Sequence, residues 1–569
     1  MRRRLVPALA VLATLLVGCS TVPTSSPNVV ITQAPNRSDE PVGIEPVSPE
    51  KGATPEEVVR GFIDAAASST RQHPVAREYL TPQAAKSWSD ETGITIISPS
   101  YSAVTTEAGA VRVSADWVGN VDPRGIFSLS DQENYSREYT LEKVGKEWRI
   151  ADPPDGLVML LPDFSRLYDQ LPAYFLDPTG QRLVPDPRYL IAGDSQPTAL
   201  INRELDGASA ALAAGVKNPL EGAQLRRAIT VSSQIVTVDL TGLSPNPSPE
   251  LSELCAQVVW TLQPFGARSV QVLIDGEPVS IDGIPSVQTV DTWASYSPEG
   301  AAVDAVGHYV FNGAVYTVDG KPVPGPAGAG AYGLTSAAVS ANADGQLTTM
   351  AGTTAAAGGA TLLMGAYGGD LAPVLAGDTL SVPTVAATRD ETWVVRGGDE
   401  IVRVPAGGPA QAVATPTLGG LGRATVLQLS PDGVRAAVVI DGPEGPRLYV
   451  GTVNRSPDGG VSLPDLRQVA PSLSQVVDVA WRTSSSLLLL ARDPGQARTV
   501  PYTVGVDGWN PQDVGTAGLP NEPTAVAAAP DRQPLVSAAG SIWEFSAGTW
   551  VTLIAGQEPL PGTEPFFPM

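Results

Sequence analysis

Six short polar turns recur through the second half of the chain at a nearly constant interval. They are Ser297-Pro298-Glu299-Gly300, Asn342-Ala343-Asp344-Gly345, Thr388-Arg389-Asp390-Glu391, Ser430-Pro431-Asp432-Gly433, Arg482-Thr483-Ser484-Ser485 and Ala529-Pro530-Asp531-Arg532. Their second positions are separated by 45, 46, 42, 52 and 47 residues. A repeat of that length is one four-stranded blade of a β-propeller, whereas the two sheets of a sandwich have no reason to repeat at it. The stretches 426–439 and 477–490 each read strand, turn, strand, and six blades follow if every unit closes. Leu487, Leu488, Leu489 and Leu490 are continuously apolar, as expected of a strand covered on both faces by neighbouring blades.

The chain has 569 residues, too many for one hydrophobic core. Its 57 Gly and 53 Pro favour a turn-rich, strand-dominated fold. The formal net charge is −23. Removal of a leader carrying Arg2, Arg3 and Arg4 makes it −26. Such a surface repels phosphate backbones and anionic headgroups, so neither a nucleic acid partner nor electrostatic adhesion to lipid is expected.

The first residues supply another route to a membrane. Three arginines, an uncharged apolar run over 5–17 and Gly18 before Cys19 have the order of a secretory signal. The run is too short for a spanning helix. The ending Leu16-Val17-Gly18-Cys19 resembles the lipobox of bacterial lipoproteins. That resemblance implies cleavage between Gly18 and Cys19, diacylglycerol on the Cys19 sulfur and acylation of the new amino terminus. One acyl chain holds a protein only marginally and two hold it stably. The expected location is the extracytoplasmic face of the cell membrane. Cys255 is the second of only two cysteines and has no partner for a disulfide. It falls on the apolar stripe of a helix predicted over 249–262, which points to a buried small hydrophobe.

Five segments are expected: a signal peptide over 1–18, a lipidated tether over 19–53, an α+β domain over 54–156, an α/β domain over 157–284 and the propeller over 285–569. The tether is rich in Ser, Pro and Thr and has no apolar period. Thr54-Pro55-Glu56-Glu57 opens a helix with an N-cap, a proline at the first helical position and a carboxylate two residues later. A second helix is expected near Pro74 or Thr81, then strands over 94–97, 110–117, 135–144 and 148–150. This order resembles the cone of nuclear-transport-factor-2-like domains. No His–Asp pair is legible there, His73 reading as a loop residue. The next domain reads as strands over 173–176, 189–191, 228–231, 235–240 and 269–274, with helices over 198–213 and 249–262. Pro197 to Gly207, Val236 to Leu240, Val259 to Leu262 and Val270 to Gly276 resemble a GerM-type domain, which implies protein interaction and supplies no catalytic residue.

Catalytic constellations are scarce. Gly328-Ala-Gly330-Ala-Tyr-Gly333 spells a dinucleotide fingerprint, but it lacks the preceding strand and following helix that would hold a pyrophosphate. His73 and His308 are the only histidines, too few for a histidine metal cluster or a Ser-His-Asp triad. Asp344, Asp432 and Asp531 recur in turns, where backbone conformation accounts for them. No catalytic residue, metal ligand or cofactor site is therefore assigned, beyond the covalent lipid at Cys19.

Lipobox, tether, NTF2-like region, GerM-type domain and propeller, in that order, resemble the actinobacterial LpqB lipoprotein family along nearly the whole chain. Membership implies a non-enzymatic partner of the Mtr two-component system, acting on the extracytoplasmic part of its sensor kinase. A different class of function is a propeller that binds or hydrolyses wall glycan. It requires a central pocket with two carboxylates, or an aromatic platform drawn from Trp293, Trp393, Trp481 and Trp543.

Overall fold

A computed structural model describes residues 46–569 except 233–234, 245–248, 267, 301–305, 343, 387–388, 494, 496–497 and 555–556. Gly18, Cys19 and the tether as far as residue 45 lie outside the described residues.

The first domain opens on the helix Pro55–Ala66. Thr54 Oγ1 accepts from Glu57 N at 3.3 Å while the Glu57 carboxylate accepts from Thr54 N at 2.8 Å, so each satisfies a backbone donor that the helix leaves free. Val58, Val59, Phe62 and Ile63 are buried against a sheet whose long central strand, Val111–Val121, pairs with Ile94–Ile97, Ser102–Thr105, Phe127–Leu129 and Asn134–Tyr139. The strand expected over 135–144 is two strands. Asn134–Tyr139 joins the sheet, and Leu141–Val144 forms a separate hairpin with Glu147–Ile150. The expected boundary at 157 also moves. Leu157–Leu160 runs parallel to Ile94–Ile97, and the core continues through Phe164 and Leu167, because Leu157, Val158 and Met159 are buried in the first domain's core, with Leu160 partly buried against it.

The second domain begins with the hairpin Tyr168–Leu176 and Leu183–Ile191. Ile235–Thr241 and Ser269–Ile274 are parallel neighbours joined through the helix Pro249–Leu262. Cys255 lies inside that helix's buried face, fully enclosed, and burial pushes its thiol up to about 12. The helix expected over 198–213 is Gln196–Leu205. It stops before Asp206-Gly207, where Gly207 takes φ +86°, and the chain continues as turns to the short 3₁₀ stretch Ala213–Gly215. A later 3₁₀ stretch, Val290–Tyr296, sets Trp293 into this domain's core. The propeller therefore starts at His308–Phe311 and not at 285.

Six blade sheets follow among the described residues, five of four strands and one of three, and a two-stranded ribbon, Asn454–Arg455 with Val461–Ser462, lies in the connection between the last two strands of blade four. The last five turns of the repeat join the first and second strands of blades two to six. Ser297-Pro298-Glu299-Gly300 does not belong to that series. Blade one takes its innermost strand, Thr563–Phe566, from the far end of the chain and pairs it with His308–Phe311, so no hairpin turn exists there. The backbone of Met569 exchanges hydrogen bonds with Val339 and Ala341 of blade two. Each pair of adjacent blades shares an apolar cluster, and the series returns from blade six to blade one through Ala527, Leu535, Ile542 and Tyr309. The four leucines divide by parity, as alternation along a strand requires. Leu487 and Leu489 face blade four, while Leu488 and Leu490 face blade six.

Candidate functional site

The axis of the propeller holds a narrow cavity of about 60 Å³, walled by residues of all six innermost strands or the segments beside them. Two of its residues are acidic, Asp478 and Glu564. Asp478 Oδ2 accepts from Val526 N at 2.7 Å. Burial, reinforced by the charge of Glu564, raises the Asp478 carboxyl to about 8. Burial also raises Glu564, whose backbone takes φ +48°. Two carboxylates thus do meet on the axis, as a glycosidase would need, but small-molecule sites occupy roughly 300–1,000 Å³. A cavity of this size admits no sugar ring.

The four tryptophans form no platform. Trp393 is fully buried and its indole donates to Glu391 at 3.0 Å. Trp293 donates to Gln288 at 2.9 Å, Trp481 to the Gln428 carbonyl at 3.0 Å and Trp543 to the Ala538 carbonyl at 3.3 Å. Each is occupied in packing its own domain.

One expectation about the first domain is overturned. His73 and Asp90 do form a pair, with Nδ1 and Oδ2 2.7 Å apart, and Arg77 donates to the other Asp90 oxygen at 2.8 Å. His73 precedes the helix Pro74–Glu78 in a left-handed conformation, φ +40°, which turns its ring inward. Burial works against the charge of Asp90, but the hydrogen bond from His73 and the positive charges beside it outweigh that and hold the carboxyl below its usual range. No pattern spacing connects residues 73 and 90, so the sequence offered no signal for this contact. His308 is buried far away in blade one, stacked on Phe566 and 3.2 Å from the Tyr367 hydroxyl, and burial lowers it to about 4. Among the described residues no group of three or more His, Cys, Asp or Glu is placed to hold a metal ion. Gly328, Gly330 and Gly333 lie in turns between Ala314–Thr317 and Leu334–Ala341, with no helix to receive a phosphate.

The most heavily built polar region is the junction of the three domains, centred on the Tyr168–Leu176 and Leu183–Ile191 hairpin. On one side Trp509, from a blade-five loop, packs its ring 5.0 Å from Phe127, 5.3 Å from Phe164 and 5.4 Å from Tyr189. Tyr189 donates to Asp507 at 2.8 Å, and Arg124 of the first domain donates to the Asp206 and Ala208 carbonyls. On the other side Arg435 of blade four donates to the Pro185 carbonyl at 2.5 Å and pairs with Asp432 at 3.3 Å. Thr452 donates to the Ala211 carbonyl at 2.6 Å. Glu299 accepts from Ser484 N at 2.9 Å, and Ser484 Oγ donates to the Pro298 carbonyl at 2.6 Å. Asp344 remains an exposed turn residue beside Asn342, whose side chain closes the turn. Asp432 is more than a turn residue. It is fully buried, accepting from Ser430 Oγ and Val434 N. Trp509 escaped the sequence reading. A tryptophan inside the loop Asp507-Gly508-Trp509-Asn510 was the available signal, since so large an apolar ring in a polar loop needs a partner elsewhere.

Comparison with known proteins follows the same division. Residues 48–165 match the model of the Lipoprotein LpqB N-terminal domain, 172–280 that of a sporulation and spore germination domain, and 313–568 that of the Lipoprotein LpqB beta-propeller domain. Lipoprotein LpqB of Rhodococcus opacus is 32% identical over 534 residues, covering 88% of this chain and 86% of its own. The chain belongs to the LpqB family. Lipoprotein LpqB of Mycolicibacterium smegmatis is 29% identical over the full length of both chains, and that of Mycobacterium tuberculosis 31% identical over 91% of each. The gap between residues 165 and 172 in the two N-terminal matches agrees with a boundary after Leu167. No helix of the described residues is long and apolar enough to cross a membrane.

Proposed function

We propose that this chain is a lipid-anchored accessory protein, acylated at Cys19, that presents its domains on the extracytoplasmic side of the membrane to the ectodomain of the Mtr sensor kinase. The single observation that supports it best is the three-domain junction. Side chains of every domain are spent on holding the others in register, which suits a body that displays surfaces and does not open around a substrate. A strongly acidic surface gives no general affinity for lipid, so the anchor supplies proximity, raising the effective concentration of a weak partner. An interaction module of GerM type and a propeller whose axial cavity of about 60 Å³ is too small for a sugar ring agree with a role that is not catalytic.

Photo-crosslinkers placed at exposed propeller positions such as Val477 test the reading in cells. Capture of the kinase ectodomain is the expected result, and capture of wall glycan alone overturns it. In parallel, Cys19→Ala should move the protein from membrane to soluble fractions with its fold intact and its effect on kinase signalling lost. Full signalling by the soluble form would show the anchor to be dispensable.

A further inference from the structure

Six of the chain's 36 basic residues are lysines: Lys51, Lys86, Lys143, Lys146, Lys217 and Lys321. Lys217 and Lys321 are spent on ion pairs with Glu253 and Asp319, and no other lysine makes one among the described residues. Three of the remaining four meet at one corner of the first domain. Lys143 and Lys146 flank the tip of the hairpin formed by Leu141–Val144 and Glu147–Ile150, where Gly145, at φ +69°, opens a two-residue turn. Lys51 stands beside Gly52, whose N–H donates to the Glu147 carboxylate at 2.7 Å. The Tyr79 carbonyl accepts from Ile150 N of the same hairpin, and the Tyr79 hydroxyl donates to the Val47 carbonyl at 2.7 Å. The chain that arrives from Cys19 is therefore fastened here. Val47 and Val144 are 68% and 42% exposed, two of only six large apolar residues so open among the described residues.

We propose that the Lys143 to Lys146 hairpin tip is the surface on which the first domain rests against an anionic lipid bilayer.

The contact depends on the lipid-anchored reading for its proximity, while its chemistry is that of the hairpin. Lys143 stands opposite Trp148, its ammonium 4.9 Å from the ring centre. An indole is apolar with one polar edge, and a lysine stem can lie along apolar surface while its ammonium reaches a phosphate, so the pair suits the boundary between water and acyl chains. Val144 adds an aliphatic tip beside it. Across the corner Lys51, Lys143, Lys146 and Arg149 face Glu50, Glu142 and Glu147, a surplus of one positive charge. Glu142 lies opposite Arg149, and Glu147 is turned to Gly52 N. The four residues 143–146 carry two positive charges and no negative one. The net charge of −23 opposes adhesion by the surface as a whole. Charges beyond about 8 Å are largely screened at physiological ionic strength, however, so the tip presents its own sign to a surface it touches. Two lysines bind an anionic leaflet only weakly. With 26 residues between Cys19 and Pro46, an anchor raises the effective concentration of the leaflet enough for a weak contact to persist.

The test uses the mature chain from Ser20 with a hexahistidine tag at its amino end, captured on vesicles that bear nickel-chelating lipid. The tag supplies the proximity, and Cys19 is absent. A fluorophore sensitive to its surroundings is attached at Val144→Cys, the one accessible thiol because Cys255 is enclosed. On vesicles of phosphatidylcholine and phosphatidylglycerol in equal parts, its emission should shift to the blue and be quenched by doxyl-labelled lipid. The same fluorophore at Val477→Cys, a propeller valine of almost equal exposure, should show neither. Lys143→Glu combined with Lys146→Glu should abolish both signals at position 144, and leaving out phosphatidylglycerol should weaken them. A fluorophore at position 144 that stays in water overturns the proposal, as do equal signals at positions 144 and 477. Signals undiminished by the two glutamates, or by removal of the anionic lipid, overturn it as well. Flotation of the acylated chain with vesicles reads the anchor separately, so an absent anchor and an idle hairpin give different results.

Discussion

Tyr189 and Asp507 lie 318 residues apart in the chain, and the phenol donates to the carboxylate at 2.8 Å. Around that bond the Trp509 ring contacts Phe127 and Phe164 of the first domain as well as Tyr189 of the second. Three domains therefore depend on one loop of blade five. Aromatic pairs of this geometry contribute about 0.5–1.5 kcal/mol beyond area burial, and truncating a large aromatic costs about 3–5 kcal/mol when it is fully enclosed. Trp509 is partly exposed, so Trp509→Ala is expected to cost about 2–3 kcal/mol. The loss should fall on coupling. Denaturant unfolding followed by both fluorescence and far-UV circular dichroism should split from one transition into two, whereas coincident transitions would mean that the domains cooperate without this ring.

Asp478 gives a pH dependence of opposite origin to the usual acid loss. Its carboxyl is raised to about 8 by burial and by Glu564, so the folded state binds more protons than the unfolded chain, where the value is near 3.8. Stability is highest below that lower value and falls as pH rises through 8. Asp478→Asn keeps an acceptor for Val526 N and removes the charge. The melting temperature of this variant should exceed that of the parent at pH 8.5, by a margin that shrinks as pH falls and closes only below the unfolded value of 3.8. Equal melting temperatures at pH 8.5 would show that neither burial nor Glu564 penalises the Asp478 carboxylate.

Asp90 works the other way. Its folded value lies below the ordinary 3.8 because His73 and Arg77 favour the charged form. The stabilisation is present above the unfolded value and is lost as pH falls through the folded one. Acid unfolding of the first domain should therefore begin at higher pH in Asp90→Asn, with Arg77 left facing an uncharged amide. Exchange protection of the 73–90 segment between pH 3 and pH 6 measures it, and an unaltered profile would remove Asp90 from the account.

These contacts mark how far local pattern carries. The Thr54 cap, the helix Pro249–Leu262 and the both-sides-buried Leu487 to Leu490 strand are legible because each is set by neighbours in sequence. The turn period was legible for the same reason in blades two to six. It failed at Ser297-Pro298-Glu299-Gly300 because a polar turn looks alike whether it ends a strand or reaches Ser484, 185 residues away. Leu157–Leu160 was assigned to the wrong domain since its parallel partner, Ile94–Ile97, is distant and an apolar run does not say which sheet it enters. The His73–Asp90 pair depends on a left-handed residue that no apolar period encodes.

Cys255 offers a direct measure of how tightly the second domain is closed. Its thiol is fully enclosed in the Pro249–Leu262 helix and raised to about 12 by burial, so almost none of it is thiolate at neutral pH. In protein whose Cys19 is blocked by lipid or replaced by Ala, a thiol reagent should label nothing until denaturant is added, then label one equivalent. The rate with increasing denaturant should follow opening of this domain, and labelling of the native protein at the unfolded rate would show that the helix does not enclose the thiol.

Glu391 tests the outer part of blade three. Its carboxylate is almost fully buried; Oε1 accepts from the Trp393 indole at 3.0 Å and from Arg455, and Oε2 accepts from Arg403 at 3.1 Å. Arg455 also lies 5.8 Å from the Trp393 ring centre. Burial opposes the charge, but the hydrogen bond and charge of Arg455, with the donors from Trp393 and Arg403, outweigh it and hold the carboxyl below its usual range. Glu391→Gln preserves the shape and leaves two guanidinium groups without a counter-charge. Breaking a buried pair in this way costs about 3–5 kcal/mol. Calorimetry of the whole chain should show a lower melting temperature, and the loss should be smaller in Glu391→Gln combined with Arg455→Met, where one unpaired cation is gone. A double variant no more stable than the single one would place the cost in the lost hydrogen bonds and not in the uncompensated charge.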